Sequence, residues 1–292
     1  MSIVAAQPPD LLRLSAWRNG RRHFPGKFTS PHVGARSFIR ASNDWKRECN
    51  VDSKDVSIEC GRLGISCGPS DLRFDRLQPT EEEINCRHRR VFGRYIAREA
   101  MLDEEFWTAA WLRAESRWED QPGDRFLQFN KRKFADQEFH AIKRRCTGKY
   151  AEDCTCVIAV KKEEFGVKRT VLSSIVGTLD FSLRQLLCGQ TFPGERSKAP
   201  FSCGIFRSDL PRYGYIANLC VAKYARRQGI ASNMLFLAVD AARSSGVHQV
   251  FVNVHKDNIT AQKLYERIGF QIFERATPQT EEEKLYLLCY DV

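Results

Sequence analysis

The order of apolar and polar positions divides this chain unevenly. In its last third, Tyr215 to Val221 and Gln249 to His255 carry branched and aromatic residues at strand spacing. Each is followed by a helical pattern, from Gly229 to Ser244 and from Asn258 to Ile268, and two short strands close the chain. Val250, Val252 and Val254 share one face of the second strand, with Phe251, Asn253 and His255 on the other. Ile230, Met234, Leu237, Ala238 and Ala241 form a helical stripe. Strand, helix, strand in this order predicts parallel pairing of the two strands.

Upstream the pattern predicts a first strand near Val91 to Arg98. A helix opened by the acidic run Leu102-Asp103-Glu104-Glu105 follows, carrying Phe106, Trp107, Ala110, Trp111, Ala114 and Trp118. At helical spacing this aromatic stripe reads as core packing rather than a ligand box. After Pro122-Gly123 a basic amphipathic helix is predicted over Asp124 to Cys146, then a hairpin of Thr155 to Val160 and Val171 to Phe181 joined by the charged turn 161–168. Residues 184–212 read as a long polar connection, either a substrate lid or a tolerated insertion. Residues 42–88, broken by Gly61, Gly64, Gly68 and Pro69, read as an irregular linker.

Composition changes the picture at the front of the chain. With 292 residues and 42% hydrophobic content there is apolar surface enough for a sizeable core. No run approaches the ~20 apolar residues a bilayer span needs, so no membrane insertion is expected. The net charge is +10, but residues 1–41 hold seven basic residues against Asp10 alone, which is +6 of it and leaves +4 for the rest. That segment is rich in Arg, Ser and Ala, poor in acids and punctuated by proline. It reads as a transit peptide, plastid ahead of mitochondrion, with a disordered basic tail on a cytosolic or nuclear protein as the alternative. Without it, neither charge nor motif supports a nucleic-acid partner. The 11 cysteines lack the dense spacing of a secreted scaffold, which implies a reducing compartment and buried structural thiols. Cys154 and Cys156 lack the second ligand pair a zinc site needs, so no metal is expected.

Chemistry concentrates where Leu219-Cys220-Val221 passes through the basic turn Arg226-Arg227-Gln228 into Gly229-Ile230-Ala231-Ser232. Amide N–H groups at a helix start lack intrahelical partners and lie at the positive end of the dipole, so a pyrophosphate accepts several bonds there. Gly229 permits close backbone approach, and Arg226 and Arg227 add charge.

Here the sequence resembles the GNAT superfamily of N-acetyltransferases, whose acetyl-CoA signature Arg/Gln-x-x-Gly-x-Gly/Ala is matched by Arg226-Arg227-Gln228-Gly229-Ile230-Ala231. Asn258-Ile-Thr-Ala261-Gln-Lys-Leu264-Tyr265-Glu-Arg-Ile-Gly269-Phe270 resembles the family's second element, in which Asn258 caps a helix that Gly269 ends. Ala261, Leu264, Tyr265 and Ile268 share one face of that helix.

The resemblance covers residues 89–292. It implies an α/β GNAT fold: a mixed, mostly antiparallel sheet with flanking helices, whose splayed parallel strands Tyr215–Val221 and Gln249–His255 receive the pantetheine arm of acetyl-CoA. It further implies that backbone groups of Leu219, Cys220 and Val221 hold that arm and that the Val221 N–H polarises the thioester. Arg226, Arg227, Gln228, Gly229, Ile230, Ala231, Ser232 and Asn258 flank the cofactor, and Tyr265 is the catalytic acid. Where several relatives carry a glutamate base, this chain has Asn253; His255, on the same strand face, is a candidate to act through water. With the leader, the pattern resembles plastid GNAT enzymes, which implies protein or peptide acceptors modified at N-terminal α-amines and lysine ε-amines. A small-amine acetyltransferase and a catalytically weak acyl-CoA sensor are the alternatives, and the sequence does not specify an oligomeric state.

Overall fold

The computed structural model describes residues 72–80, 83–84, 86–119, 126–147, 153–162, 169–195, 210–273 and 284–292. The expected leader 1–41, most of the linker and the core of the charged turn after Lys162 lie outside the described residues. Eight strands form one sheet: β1 (Arg89–Phe92), β2 (Tyr95–Glu99), β3 (Cys154–Lys161), β4 (Ile175–Gln185), β5 (Arg212–Val221), β6 (Gln249–His255), β7 (Gln271–Ile272) and β8 (Leu285–Asp291). The helices are α1 (Asp103–Arg117), α2 (Leu127–Cys146), α3 (Ile230–Ser244) and α4 (Ile259–Ile268). The sheet order is β1-β2-β3-β4-β5-β6-β8-β7, and every pair is antiparallel except β5–β6. This is the mixed, mostly antiparallel sheet expected.

Strand alternation assigns the two sides. Tyr95 and Ala97 of β2 and Val157 and Ala159 of β3 join α3 and α4 in one core. Ile96, Cys156, Ile158 and Val160 point the other way and pack with Phe106, Trp107, Ala110, Phe139 and Ile142 of α1 and α2. The aromatic stripe of α1 is therefore core, as its spacing predicts. A third cluster, Tyr213, Tyr215, Ala217, Phe251 and Leu287, lies on the opposite faces of β5, β6 and β8, with Phe192 and Phe273 packed against it.

Three expectations need correction. The single strand near Val91 to Arg98 is two, reversed at Gly93, whose φ of 46° suits a residue without Cβ. The strand expected from Val171 begins at Ile175 after one helical turn at Val171–Ser174, and runs on to Gln185. The cysteines are not uniformly reduced: Cys188 is disulfide-bonded, whereas Cys86, Cys146, Cys154, Cys156, Cys220 and Cys289 carry free thiols.

The described residues ahead of β1 are tied to the domain. The Arg73 N–H and the Arg76 guanidinium donate to Glu104, and Leu77 bridges to Thr170. No helix among the described residues is long and apolar enough to cross a membrane.

Candidate active site

The site begins where β5 and β6 part. They pair only from Gly214–Val250 to Ile216–Val252. Beyond, β5 bulges against β4: Thr178 faces Cys220 and Asp180 faces Ala217, so Asn218 and Leu219 together oppose Leu179. Asn218 takes φ 53°, a left-handed conformation that asparagine tolerates better than most residues. Its side-chain amide donates to Asp180 at 2.9 Å.

Asp180 is the centre of a buried charge network that sequence reasoning missed. It accepts from Arg113 of α1 at 2.6 and 3.0 Å and from Arg145 of α2 at 2.9 Å, and Glu138 accepts from both arginines. Burial alone raises the Asp180 carboxyl, but the two guanidinium groups outweigh it and hold the group below the usual carboxylate range. One signal was present in the sequence: a carboxylate on a strand of apolar residues, and an arginine at helical spacing from Phe106 and Ala110.

Past the bulge, the Ala222 N–H donates to the Val176 carbonyl at 2.8 Å. Gly177 and Val221 are therefore a non-hydrogen-bonded antiparallel pair, and the Val221 N–H points away from β4 toward the side from which β6 has diverged. The Val221 carbonyl accepts from Arg226 Nε at 3.1 Å, and the rest of that guanidinium clasps Glu119 at 2.5 and 3.0 Å. Arg226 thus braces the loop. Arg227 is exposed with φ 63°, and Gln228 Oε1 accepts from Arg94 and Tyr95. Gly229 stands at φ 75° as the N-cap of α3. The first in-helix bond is Asn233 N–H to the Gly229 carbonyl, so the N–H groups of Ile230, Ala231 and Ser232 have no partner within the helix.

On α4, Asn258 caps through its side chain, accepting from the Ala261 N–H at 3.1 Å, and Gly269 closes the helix at φ 115°. Tyr265 is fully buried, its ring edge-on to Phe270, and its hydroxyl has no hydrogen-bond partner among the described residues. Burial, with Cys220 and Tyr215 adding, pushes the phenol above its ordinary value of 10. A buried donor left unpaired costs about 1–3 kcal/mol, and no partner among the described residues relieves that cost at Tyr265.

The model of the Acetyltransferase (GNAT) family matches residues 102–270, more than half the chain. The chain belongs to the GNAT family. It is 58% identical over 255 residues to the Arabidopsis thaliana protein named GCN5-related N-acetyltransferase 6, chloroplastic, covering 84% of this chain and 88% of that one. A shorter match, 36% over 62 residues, covers 21% of this chain and 41% of N-alpha-acetyltransferase 30 of Schizosaccharomyces pombe. Among solved structures, PaiA N-acetyltransferase of Thermoplasma acidophilum, in complex with coenzyme A, aligns with a TM-score of 0.44 at 11% identity, covering 68% of this chain and 99% of that one.

In this GNAT domain the strand face that carries Asn253 and His255 meets the third cluster. The Asn253 amide donates to the Tyr215 hydroxyl at 3.2 Å, and the Arg184 guanidinium stacks 4.1 Å over the Tyr215 ring. Burial raises the Tyr215 phenol to about 12 despite Arg184. His255 Nδ1 accepts from the Asp257 N–H at 3.3 Å and is half-exposed. Of the connection 184–212, Leu186 and Phe192 pack on the third cluster, while residues 196–209 lie outside the described residues. Among the described residues no group of three or more His, Cys, Asp or Glu is arranged to hold a metal ion.

Proposed function

We propose that this GNAT acetyltransferase moves acetyl from acetyl-CoA directly to amines of protein substrates in plastids, at N-terminal α-amines and lysine ε-amines. The observation that carries the reading is the buried, unpartnered Tyr265 hydroxyl on the helix packed beside the opening between β5 and β6. Two further features fit the co-substrate: β5 and β6 stop pairing after Ile216 and Val252, so backbone groups of β5 beyond that point are not taken up by β6, and the N–H groups of Ile230, Ala231 and Ser232 suit a pyrophosphate.

The Val221 N–H supports the thioester oxygen as negative charge gathers there during attack by the neutral amine. Tyr265, protonated across the neutral range, gives its proton to the departing thiolate and recovers one from the amine nitrogen by way of solvent. Asn253 is no base: its amide orients the Tyr215 hydroxyl. The protein acceptor is supported by the name of the yeast relative, an N-alpha-acetyltransferase. The plastid is supported by the composition of residues 1–41 and by the name of the Arabidopsis relative.

The test is full-length protein incubated with isotopically labelled acetyl-CoA and a proteome-derived peptide mixture, read by mass spectrometry beside Tyr265→Phe. Deleting a general acid lowers turnover by about 10²–10⁴-fold, and acetyl-CoA affinity should stay within twofold because the ring remains. Unchanged turnover removes Tyr265 from the mechanism. No label on any peptide while a small amine added to the mixture is acetylated removes the protein acceptor, and native protein recovered only outside plastids removes the compartment.

A further inference from the structure

Two of the free thiols are in contact. Cys146, the last residue of α2, donates from Sγ to the Sγ of Cys154, the first residue of β3, at 3.7 Å. A disulfide needs its sulfurs about 2.0 Å apart, so bonding closes the pair by roughly 1.7 Å. The two sides differ in how freely they supply that movement. Cys154 is held in register opposite Ser182 of β4, and the Leu183 N–H donates to the neighbouring Asp153 carbonyl at 2.7 Å. Cys146 sits in the last turn of its helix, where carbonyls lack further helical partners, and Thr147 has already turned to an extended conformation.

Access and protonation divide the pair as well. Cys154 is buried, whereas Cys146 is half-buried. The hydrogen bond from Cys146 holds the Cys154 thiol below its ordinary value, with Arg145 and Arg113 adding to that and with burial and Asp180 opposing it; the same bond pushes the Cys146 thiol up. A proton can therefore pass between the two sulfurs along the bond they already make. Cys156, on the same strand face as Cys154, is placed differently. It is 1% exposed, lies 3.8 Å from both the Arg113 guanidinium and the Thr178 hydroxyl, and burial pushes its thiol up to about 12. A buried, protonated thiol of this kind is inert.

We infer that Cys146 and Cys154 form a reversible redox-modification site whose oxidant is a small-molecule disulfide, with Cys146 the entry thiol and Cys154 the resolving one. Cys146 Sγ, its proton passed to Cys154, attacks one sulfur of the small disulfide; that S–S bond breaks, and one thiolate leaves and takes a proton from solvent. Cys154 Sγ, its own proton given to solvent, then attacks Cys146 Sγ and displaces the second thiolate. The two cysteines lose two electrons and two protons, and the small disulfide leaves as two thiols. The product ties α2 to β3 beside Arg145, whose guanidinium donates to Asp180. The inference rests on the thiols and is independent of the acetyl-CoA reading.

The experiment is oxidation of the full chain with glutathione disulfide, quenched by alkylation at intervals and mapped by peptide mass spectrometry, on wild type, Cys146→Ser and Cys154→Ser. Wild type should give peptides linked through Cys146 and Cys154, and dithiothreitol should return both thiols. Cys154→Ser should halt at a glutathione adduct on Cys146. In Cys146→Ser, modification of the buried Cys154 should slow by at least about tenfold. A wild-type product that stays as an adduct on Cys146, a new link from either residue to another cysteine, or no modification at all overturns the inference. So does Cys154 reacting equally fast without Cys146. Should a serine variant fail to fold, the wild-type map decides by itself, since the linked peptides and their reversal need no variant.

Discussion

The two halves of this domain make their polar features by opposite means. From β5 to α4 the site is drawn by the backbone: left-handed residues at Asn218, Arg227 and Gly229, N–H groups without helical partners at the start of α3, and two strands that stop pairing after three residues. From β1 to β4 the polar features are side chains buried in apolar cores. Arg98 pairs with Glu105, both fully buried, and Arg113 meets Asp180 across 67 positions of sequence. Backbone devices depend on neighbours in sequence. Side-chain devices depend on the finished fold.

The contrast breaks hardest at Asp180. Replacing it with alanine leaves Arg113, 4% exposed, without the carboxylate that takes two of its bonds, and loss of one partner of a buried pair costs about 3–5 kcal/mol. Urea denaturation should show that loss; a change below about 1 kcal/mol would mean that Glu138 holds both arginines by itself. The pH dependence has a defined sign. The folded Asp180 carboxyl is held below its unfolded value of ~3.9, so its contribution is present above that pH and is lost as pH falls through the folded value. Asp180→Asn should flatten this acid limb of the stability curve. An acid limb as steep as that of wild type would assign it to other carboxylates.

What the sequence discloses follows the same division. The Asn258 cap, the Gly229 and Gly269 turns and the opposed faces of β6 are local patterns, and the structure has them where the periodicity places them. The turn between β1 and β2 was illegible because its two residues fall within a continuous run of strand-like alternation, with Gly93 as the sole punctuation. The Asp180 network was visible only as two anomalies, a carboxylate in β4 and an arginine on the apolar face of α1. Each made sense only once the other was beside it. The cluster in which Asn253 and Arg184 converge on Tyr215 matched no short motif for the same reason.

Asn218 joins the halves, since its backbone forms the bulge and its side chain reaches Asp180. Asn218→Ala loses the amide bond and puts a less tolerant residue at φ 53°, with an expected cost of about 2 kcal/mol. Asn218→Gly loses the same bond but accepts the conformation freely, and should recover about half of that. If the bulge aims the Val221 N–H, turnover should fall in both variants while acetyl-CoA affinity holds. Stability losses with wild-type turnover would confine Asn218 to folding.

The smallest effect is expected at Gly229, where the backbone device stands alone. A Cβ built there meets only Asn233 Nδ2, at 3.6 Å, an ordinary contact, so Gly229→Ala is opposed by φ 75° and not by crowding. The left-handed conformation costs an alanine roughly 1 kcal/mol. The loop can bear that strain or relax it by rotating the N–H groups of Ile230 and Ala231 away from their shared direction. In the first case the melting temperature drops by a few degrees and acetyl-CoA binds as before. In the second, stability is nearly kept and acetyl-CoA affinity falls about five- to tenfold. The second is expected, because those N–H groups lack helical partners to hold them in place, and their direction is set by the turn that Gly229 makes. Intact affinity together with intact stability would move the proposed pyrophosphate site away from the start of α3.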